Sequence, residues 1–257
     1  MKFTHKISRG SRFNQIYIPK EMETYFDVGD LVEIRLVKKK INLYYSKHLK
    51  KLSPFKEKLI KDIFFFLSQL REIDQIFIIG SFLTEKIDYN DIDLLIVVNR
   101  SDKGLEERFY NKLIDMFNLR FHILIIQQEK LNYLEKICPL TRSMLYYSIS
   151  DKKFNLPSNK QIDKNHIKFL LMMPEDILEL KVESRIFYDN LRRLITIERF
   201  LYDKEEDPRE INNELKKLLG DYLFSYLKKN MEINEDIMKK LRNIIKKRLD
   251  SISKKIR

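Results

Sequence analysis

The hydrophobic pattern along the chain changes character twice. Over the first 46 residues the apolar positions come in short extended runs: Ile16-Tyr17-Ile18, Leu31–Val37 and Ile41–Tyr45. Pro19 and the Asp27-Val28-Gly29-Asp30 segment break them up. Such runs between turn-forming residues predict strands, with a helical turn over Lys20–Tyr25 behind Pro19. From Phe55 the period becomes helical. Phe55, Leu59, Ile63, Phe66 and Leu70 make one stripe, with Lys56, Lys58, Lys61 and Asp62 mostly opposite. Gln75–Ile79, Asp91–Val98 and Leu119–Ile126 then read as buried strands. A helix over Gly104–Phe117 separates the second from the third, and shorter helices follow at Glu129–Ile137 and Pro139–Ile149. Alternation of this kind predicts an α/β sheet layer.

After Leu156-Pro157 the pattern is helical to the end. Pro174 sits where the first turn of a long helix reaching about Tyr202 would start, and Pro208 where a second would start, reaching about Lys229. Asn234 is a candidate cap for a last helix with the stripe Ile237, Leu241, Ile244, Ile245, Leu249, Ile252 and Ile256. The expected fold class is α/β (α+β), with a small β-hairpin domain over 1–50, a central domain over 55–157 and a helical bundle over 160–257. The charged stretch Lys47–Pro54 is the expected linker.

Composition refines this picture. Hydrophobic residues make up 44% and aromatics 12% of 257 residues, enough for a packed core, which argues against disorder. Cys138 is the single cysteine, so no internal disulfide can form, and a cytoplasmic location is the expectation. The opening MKFTHKISRG has no apolar stretch of signal-peptide length, and no apolar run approaches a membrane span. The net charge of +12 is uneven: residues 1–51 hold twelve basic and five acidic side chains, and 239–257 hold nine basic ones and only Asp250. Basic ends of this kind suit either nucleic acid, DNA or RNA, or a solvated surface.

The chemistry concentrates between residues 78 and 97. An apolar strand ends in Gly80-Ser81, nine residues intervene, and a second strand opens with Asp91-Ile92-Asp93. Glycine lets the chain turn and a phosphate approach closely, while the serine hydroxyl and nearby N–H groups can hold phosphate oxygens. The two-residue period of a strand puts Asp91 and Asp93 on one face. Paired carboxylates repel unless a cation lies between them, and Mg²⁺ favours carboxylate together with phosphate oxygens. Either motif alone is an ordinary turn or strand edge; the two at this spacing are specific.

This stretch resembles the signature of the DNA polymerase β-like nucleotidyltransferases, in particular the small stand-alone prokaryotic members, over roughly residues 55–155. The resemblance implies transfer of NMP from an NTP to an acceptor (protein, RNA or small molecule). It assigns Mg²⁺, or Mn²⁺, to Asp91 and Asp93, and phosphate contacts to Gly80 and Ser81. The family often takes a third carboxylate from a later strand. Here Leu119–Ile126 holds no acid, and His122 stands at the matching position with Arg120 two residues before it. Histidine is a poor Mg²⁺ ligand, which leaves His122 either a general base or a hydrogen-bonded structural residue.

The segment Lys6–Ile34, with Ile16-Tyr17-Ile18-Pro19-Lys20 and Gly29-Asp30-Leu31-Val32-Glu33-Ile34, resembles AbrB/SpoVT-type swapped-hairpin domains. That resemblance implies a homodimer with Lys6, Arg9 and Arg12 on DNA phosphates; a docking module that binds no DNA is equally open. Tyr188, Arg192, Arg193 and Arg199 have spacings that suit either a substrate face or ordinary packing. The leading expectation is therefore a Mg²⁺-dependent nucleotidyltransferase. The alternative is a DNA-binding regulator or antitoxin-like protein with a weakened or inactive catalytic domain.

Overall fold

A strand apolar at every position needs cover on both faces. The computed structural model, which describes residues 3–35, 40–85, 89–100 and 102–257, is a mixed α/β fold that supplies such cover in its larger part. The chain folds as two units, Met1–Lys39 and Lys40–Arg257.

In the first unit β1 (Ser8–Arg9) and β2 (Asn14–Gln15) form an antiparallel hairpin. A 3-10 helix follows over Lys20–Tyr25, directly behind Pro19 as the proline implies. The Asp27–Asp30 turn is closed by Asp30 N donating to Asp27 O at 3.1 Å. The expected strand at Ile16–Ile18 is absent. Residues 31–35 carry no regular structure, and Leu36 and Val37 of that expected strand lie outside the described residues. Nothing among residues 3–35 is buried, so these runs lack the packed face that normally holds a strand.

The second unit opens with β3 (Tyr44–Tyr45), which leaves Ile41–Leu43 of the expected strand irregular. It continues through α1 (Pro54–Leu67), β4 (Ile73–Ile79), β5 (Ile92–Val98), α2 (Leu105–Phe117) and β6 (Phe121–Gln127). Then come α3 (Gln128–Ile137), α4 (Pro139–Tyr146) and β7 (Ile149–Ser150). The sheet order is β3-β7-β4-β5-β6, with only β5 and β6 parallel. One sheet face (Ile76, Ile78, Ile92, Leu94, Ile96, Phe121 and Ile123) packs with α1 and α2 through Ile60, Ile63, Phe64, Leu67, Phe109 and Leu113. The other (Phe77, Ile79, Leu95 and Val97) is covered by Leu131 of α3 and Leu145 of α4.

Three sequence expectations need correction here. The buried face of α1 is Lys56, Ile60, Ile63, Phe64 and Leu67, while Phe55 is exposed. The stripe is turned because Ile60 and Phe64 are fully buried against the sheet, whereas Leu59 packs there only in part and Phe55 is exposed. Residues 47–53 do not form a free linker. Ser46 N donates to Ser148 O at 2.9 Å, and Leu49 and Leu52 pack against the sheet's first face. Lastly, β7 pairs with β3 and β4, taking from the expected Pro139–Ile149 helix its final residue.

The helical part comprises α5 (Lys164–Asp176), α6 (Ser184–Leu201), α7 (Pro208–Leu219), α8 (Asp221–Lys228) and α9 (Glu235–Ile256). Pro174 does not start a helix. It lies in the last turn of α5, and the Leu170 carbonyl that it leaves without its usual N–H partner accepts from Arg193 Nη1 at 3.4 Å. Pro208 does start a helix, but Gly220, at φ 76°, divides the expected single element into α7 and α8. Asn234 caps α9 as expected, its side chain accepting from Ile237 N at 2.9 Å. Phe187, Leu191, Leu194 and Ile195 of α6 form the centre of this core, with Leu241, Ile245 and Leu249 of α9 against them, and it takes in Ile137 and Cys138 between α3 and α4. Among the described residues no helix is long and apolar enough to cross a membrane.

One buried ion pair ties α4 to the loop before α7. Arg142 Nε donates to Glu206 Oε2 at 3.1 Å, and Nη1 donates to the carbonyls of Glu135 and Pro157 at 2.8 and 3.0 Å. Both side chains are nearly inaccessible, at 7% and 3%. Removing Arg142 leaves the buried Glu206 carboxylate with Lys160 as its remaining cation and takes the donor from two carbonyls, so Arg142→Ala should lower stability by about 1–3 kcal/mol. Urea unfolding followed by circular dichroism checks this; a loss below about 1 kcal/mol would contradict it.

Candidate functional site

The register of the sheet assembles the site. In the β4–β5 pairing Ile79 lies opposite Asp93, and in the parallel β5–β6 pairing Asp93 lies opposite His122. Partners in register share a face, so Asp93 and His122 stand side by side at the end of β4, on the face that carries Leu95 and Val97. The apolar cover ends there. Leu95 is buried, whereas the Asp93 side chain is 24% and that of His122 61% exposed.

Gly80 follows directly after β4, at φ 75° and ψ −154°, a region open essentially to glycine alone. A Cβ at this position would lie 2.0 Å from Asp93 Oδ2. The missing side chain is therefore what admits the Asp93 carboxylate to the end of β4. The chain then turns through a 3-10 helix, Ser81–Leu83, with Thr84 N and Thr84 Oγ1 both donating to Ser81 O, at 3.1 and 2.8 Å. Gly80 and Ser81 are exposed.

Lys56 fixes this turn from below. It is buried in α1, and its Nζ donates to Phe82 O and Thr84 O, each at 2.8 Å, with the rings of Phe82 and Tyr89 at 5.0 and 5.8 Å. Burial pushes the Lys56 ammonium below the usual lysine range, and the two carbonyls favour the proton that burial disfavours. The α1 stripe expected from the sequence puts Lys56 on the solvent side. Its spacing of four and seven residues from Ile60 and Ile63 was the available signal for the opposite placement.

Of the residues singled out in the sequence, the fold brings Gly80, Asp93 and His122 together, with Ser81 next in the chain. Asp91 is half-buried, one residue ahead of β5. Asp93 Oδ1 lies 3.0 Å from His122 Nδ1. With the carboxylate ionised, Nδ1 carries the proton and Nε2 is the ring's basic nitrogen. Lys86, Ile87 and Asp88, between the two motifs, lie outside the described residues. Lys6, Arg9 and Arg12 are exposed in the first unit. Tyr188 and two of the three α6 arginines singled out in the sequence, Arg193 and Arg199, have internal partners. Tyr188 donates to Asn212, Arg193 to Leu170 O, and Arg199 to Glu205 O and Glu214.

Asp91 and Asp93 are hard oxygen donors. Among the described residues no group of three or more His, Cys, Asp or Glu could hold a metal by itself. That donor set fits Mg²⁺, which commonly takes one or two carboxylates and completes its shell with water and substrate phosphates. The His122 contact uses only one of the lone pairs of Asp93. No family model matches the chain, and no curated protein matches it in sequence.

The contact between residue 80 and Asp93 yields a direct test. Gly80→Ala should destabilise the second unit by about 1–3 kcal/mol from backbone strain alone, with the carboxylate clash in addition. In an Asp93→Ala background the same substitution should cost measurably less, since most of the crowding atoms are gone. Additive costs in thermal unfolding of the four proteins would show that the two residues do not touch.

Proposed function

We propose that Gly80, Ser81, Asp91, Asp93 and His122 form the catalytic centre of a Mg²⁺-dependent nucleotidyltransferase of the polymerase β-like kind. The domain layout proposed with it is a nucleotidyltransferase domain over 55–157, a helical domain over 160–257 and an AbrB-like hairpin domain confined to the first unit, because Tyr44–Tyr45 of the expected 1–50 domain belong to the larger sheet. One observation carries the reading: the Asp93 carboxylate lies against Gly80, at the start of an exposed Gly-Ser turn.

In this reading the Ser81 hydroxyl and the backbone N–H groups of the turn hold phosphate oxygens of an NTP. Lys56 keeps the turn rigid through the Phe82 and Thr84 carbonyls. Asp91 and Asp93 would hold Mg²⁺ or Mn²⁺, which supplies positive charge to the phosphate oxygens when bound. The acceptor hydroxyl attacks the α-phosphorus, pyrophosphate leaves, and the hydroxyl proton passes to Nε2 of His122, whose ring is oriented by its Nδ1 bond to Asp93. The catalytic work is mainly positioning and electrostatic stabilisation, which a rigid turn and a strand-borne carboxylate suit.

Incubation with each labelled NTP, Mg²⁺ or Mn²⁺ and cell extract should transfer label to an acceptor. Asp91→Ala and Asp93→Ala should each abolish transfer, and His122→Ala should slow it by about 10²–10⁴-fold. Transfer that survives either aspartate substitution would remove the assignment.

A second reading is a DNA-binding regulator or antitoxin-like protein with a weakened catalytic domain. It is favoured by the exposed Lys6, Arg9 and Arg12 on and beside the β1–β2 hairpin, and by His122 in place of a third carboxylate. The exposed Phe13, Val28, Leu31 and Ile34 of the first unit support its pairing with a second copy. DNA affinity should then fall steeply with salt, and Arg9→Ala with Arg12→Ala should flatten that dependence by roughly 0.9 per lost phosphate contact. No binding at low salt would sink this reading.

A further inference from the structure

Beside the Gly80–Thr84 turn lies a groove of about 220 Å³, formed by the segment before α1, by Thr84 and Glu85, and by Arg209 in the first turn of α7. Among the described residues its charged walls are Lys50, Lys51, the buried Lys56 and Arg209, against one acid, Glu85. Lys56 is committed to the turn, so Lys50, Lys51 and Arg209 set the groove's outward charge. Lys50 lies 4.0 Å from Glu85, but both side chains are largely exposed, at 77% and 93%, so that pair holds the lysine only weakly. Arg209 is better anchored, its guanidinium 4.6 Å above the Tyr147 ring. Two lysines that can swing and one arginine held in place make a cradle for phosphate oxygens.

We propose that this groove is the subsite for the acceptor strand, taking the phosphodiester backbone of a single-stranded nucleic acid. The acceptor role rests on the nucleotidyl-transfer reading given above. Three observations support it. The groove is concave and cationic. Its Thr84 wall is bonded through N and Oγ1 to the carbonyl of Ser81, so a strand lying in it ends next to the phosphate-holding turn. The groove is also small, which suits one sugar-phosphate chain and not a duplex. Single-stranded sites of this type combine a basic track with a short footprint and show strong salt dependence.

The test is equilibrium binding of a fluorescein-labelled oligouridylate to the full chain, without nucleotide or metal. It is run in an Arg9→Ala/Arg12→Ala background so that the first unit's basic residues do not contribute. Adding Lys51→Ala and Arg209→Ala should weaken binding by about tenfold or more at low salt. It should also flatten the slope of log affinity against log salt by roughly 1.4, at about 0.7 per phosphate contact in a single strand. Glu85→Gln, which removes the acid lining the groove, should strengthen binding severalfold, and this arm stands even if the double variant folds poorly. Binding of ATP with Mg²⁺, measured separately, should be unchanged in all of these variants.

Oligouridylate affinity insensitive to the Lys51, Arg209 and Glu85 changes would overturn the proposal. So would a loss that falls on ATP instead, which would make the groove a triphosphate site, or equal competition by polyglutamate, which would make it a site for acidic peptides. Asp93→Ala should leave oligouridylate binding intact. A chain that binds the strand through this groove yet shows no transfer of label keeps the groove as a nucleic-acid site and rejects only its acceptor role along with the transferase reading.

Discussion

A carboxylate reaches the end of β4 only because residue 80 has no side chain. The antiparallel register brings Asp93 opposite Ile79, and the next residue must then turn away with its Cα pressed against an acidic oxygen. Any Cβ would occupy the space of Asp93 Oδ2, and the backbone angles at residue 80 are ones that other residues avoid. Turn, carboxylate and strand pairing are thus one constraint. A change of register would move Asp93 to the opposite face and disperse the site.

The same sheet explains why the site is open. Over most of their length β4 and β5 are buried on both faces, by α1 and α2 on one side and by α3 and α4 on the other. The second cover stops short of Asp93 and His122, so these polar groups lie at the margin of an apolar layer and need no buried partner of opposite charge. Lys56 is the exception, a cation inside the first core. It is tolerated because two carbonyls accept its hydrogen bonds, and those carbonyls belong to the Gly80–Thr84 turn. Rigidity of the turn and burial of the lysine therefore support each other.

The helical part is joined to the sheet part by packing and by charge. Its core takes in Ile137 and Cys138, and Arg142 of α4 closes on Glu206 in the loop ahead of α7. Lys160 approaches the other oxygen of Glu206 at 2.9 Å, so one buried carboxylate is shared by two cations. Such a network contributes less to net stability than an apolar core of the same volume, but it defines how the elements meet, because each member is costly to leave alone. Arg209, two residues past the Asp207 cap of α7, is brought beside the groove by this junction.

Much of this was legible in the amino-acid order. Three apolar runs became β4, β5 and β6 within two residues of their expected ends, because a segment apolar at every position is stable only as a buried strand or core. The cap at Asn234 acts within one helical turn, and the Pro19 turn is equally local. Gly80 and Asp93, singled out by residue type, are brought together by the fold with His122. Other features depended on distant partners. Pro174 sits inside a helix because Arg193 replaces the bond it breaks, and β7 exists because β3 and β4 flank it. Lys56 is buried because the turn carbonyls await it. The sequence by itself determined which segments could be strand or helix, through short-range steric and hydrophobic preferences. Only the tertiary structure decided which polar groups would meet, since that depends on register and on packing between residues far apart in the chain.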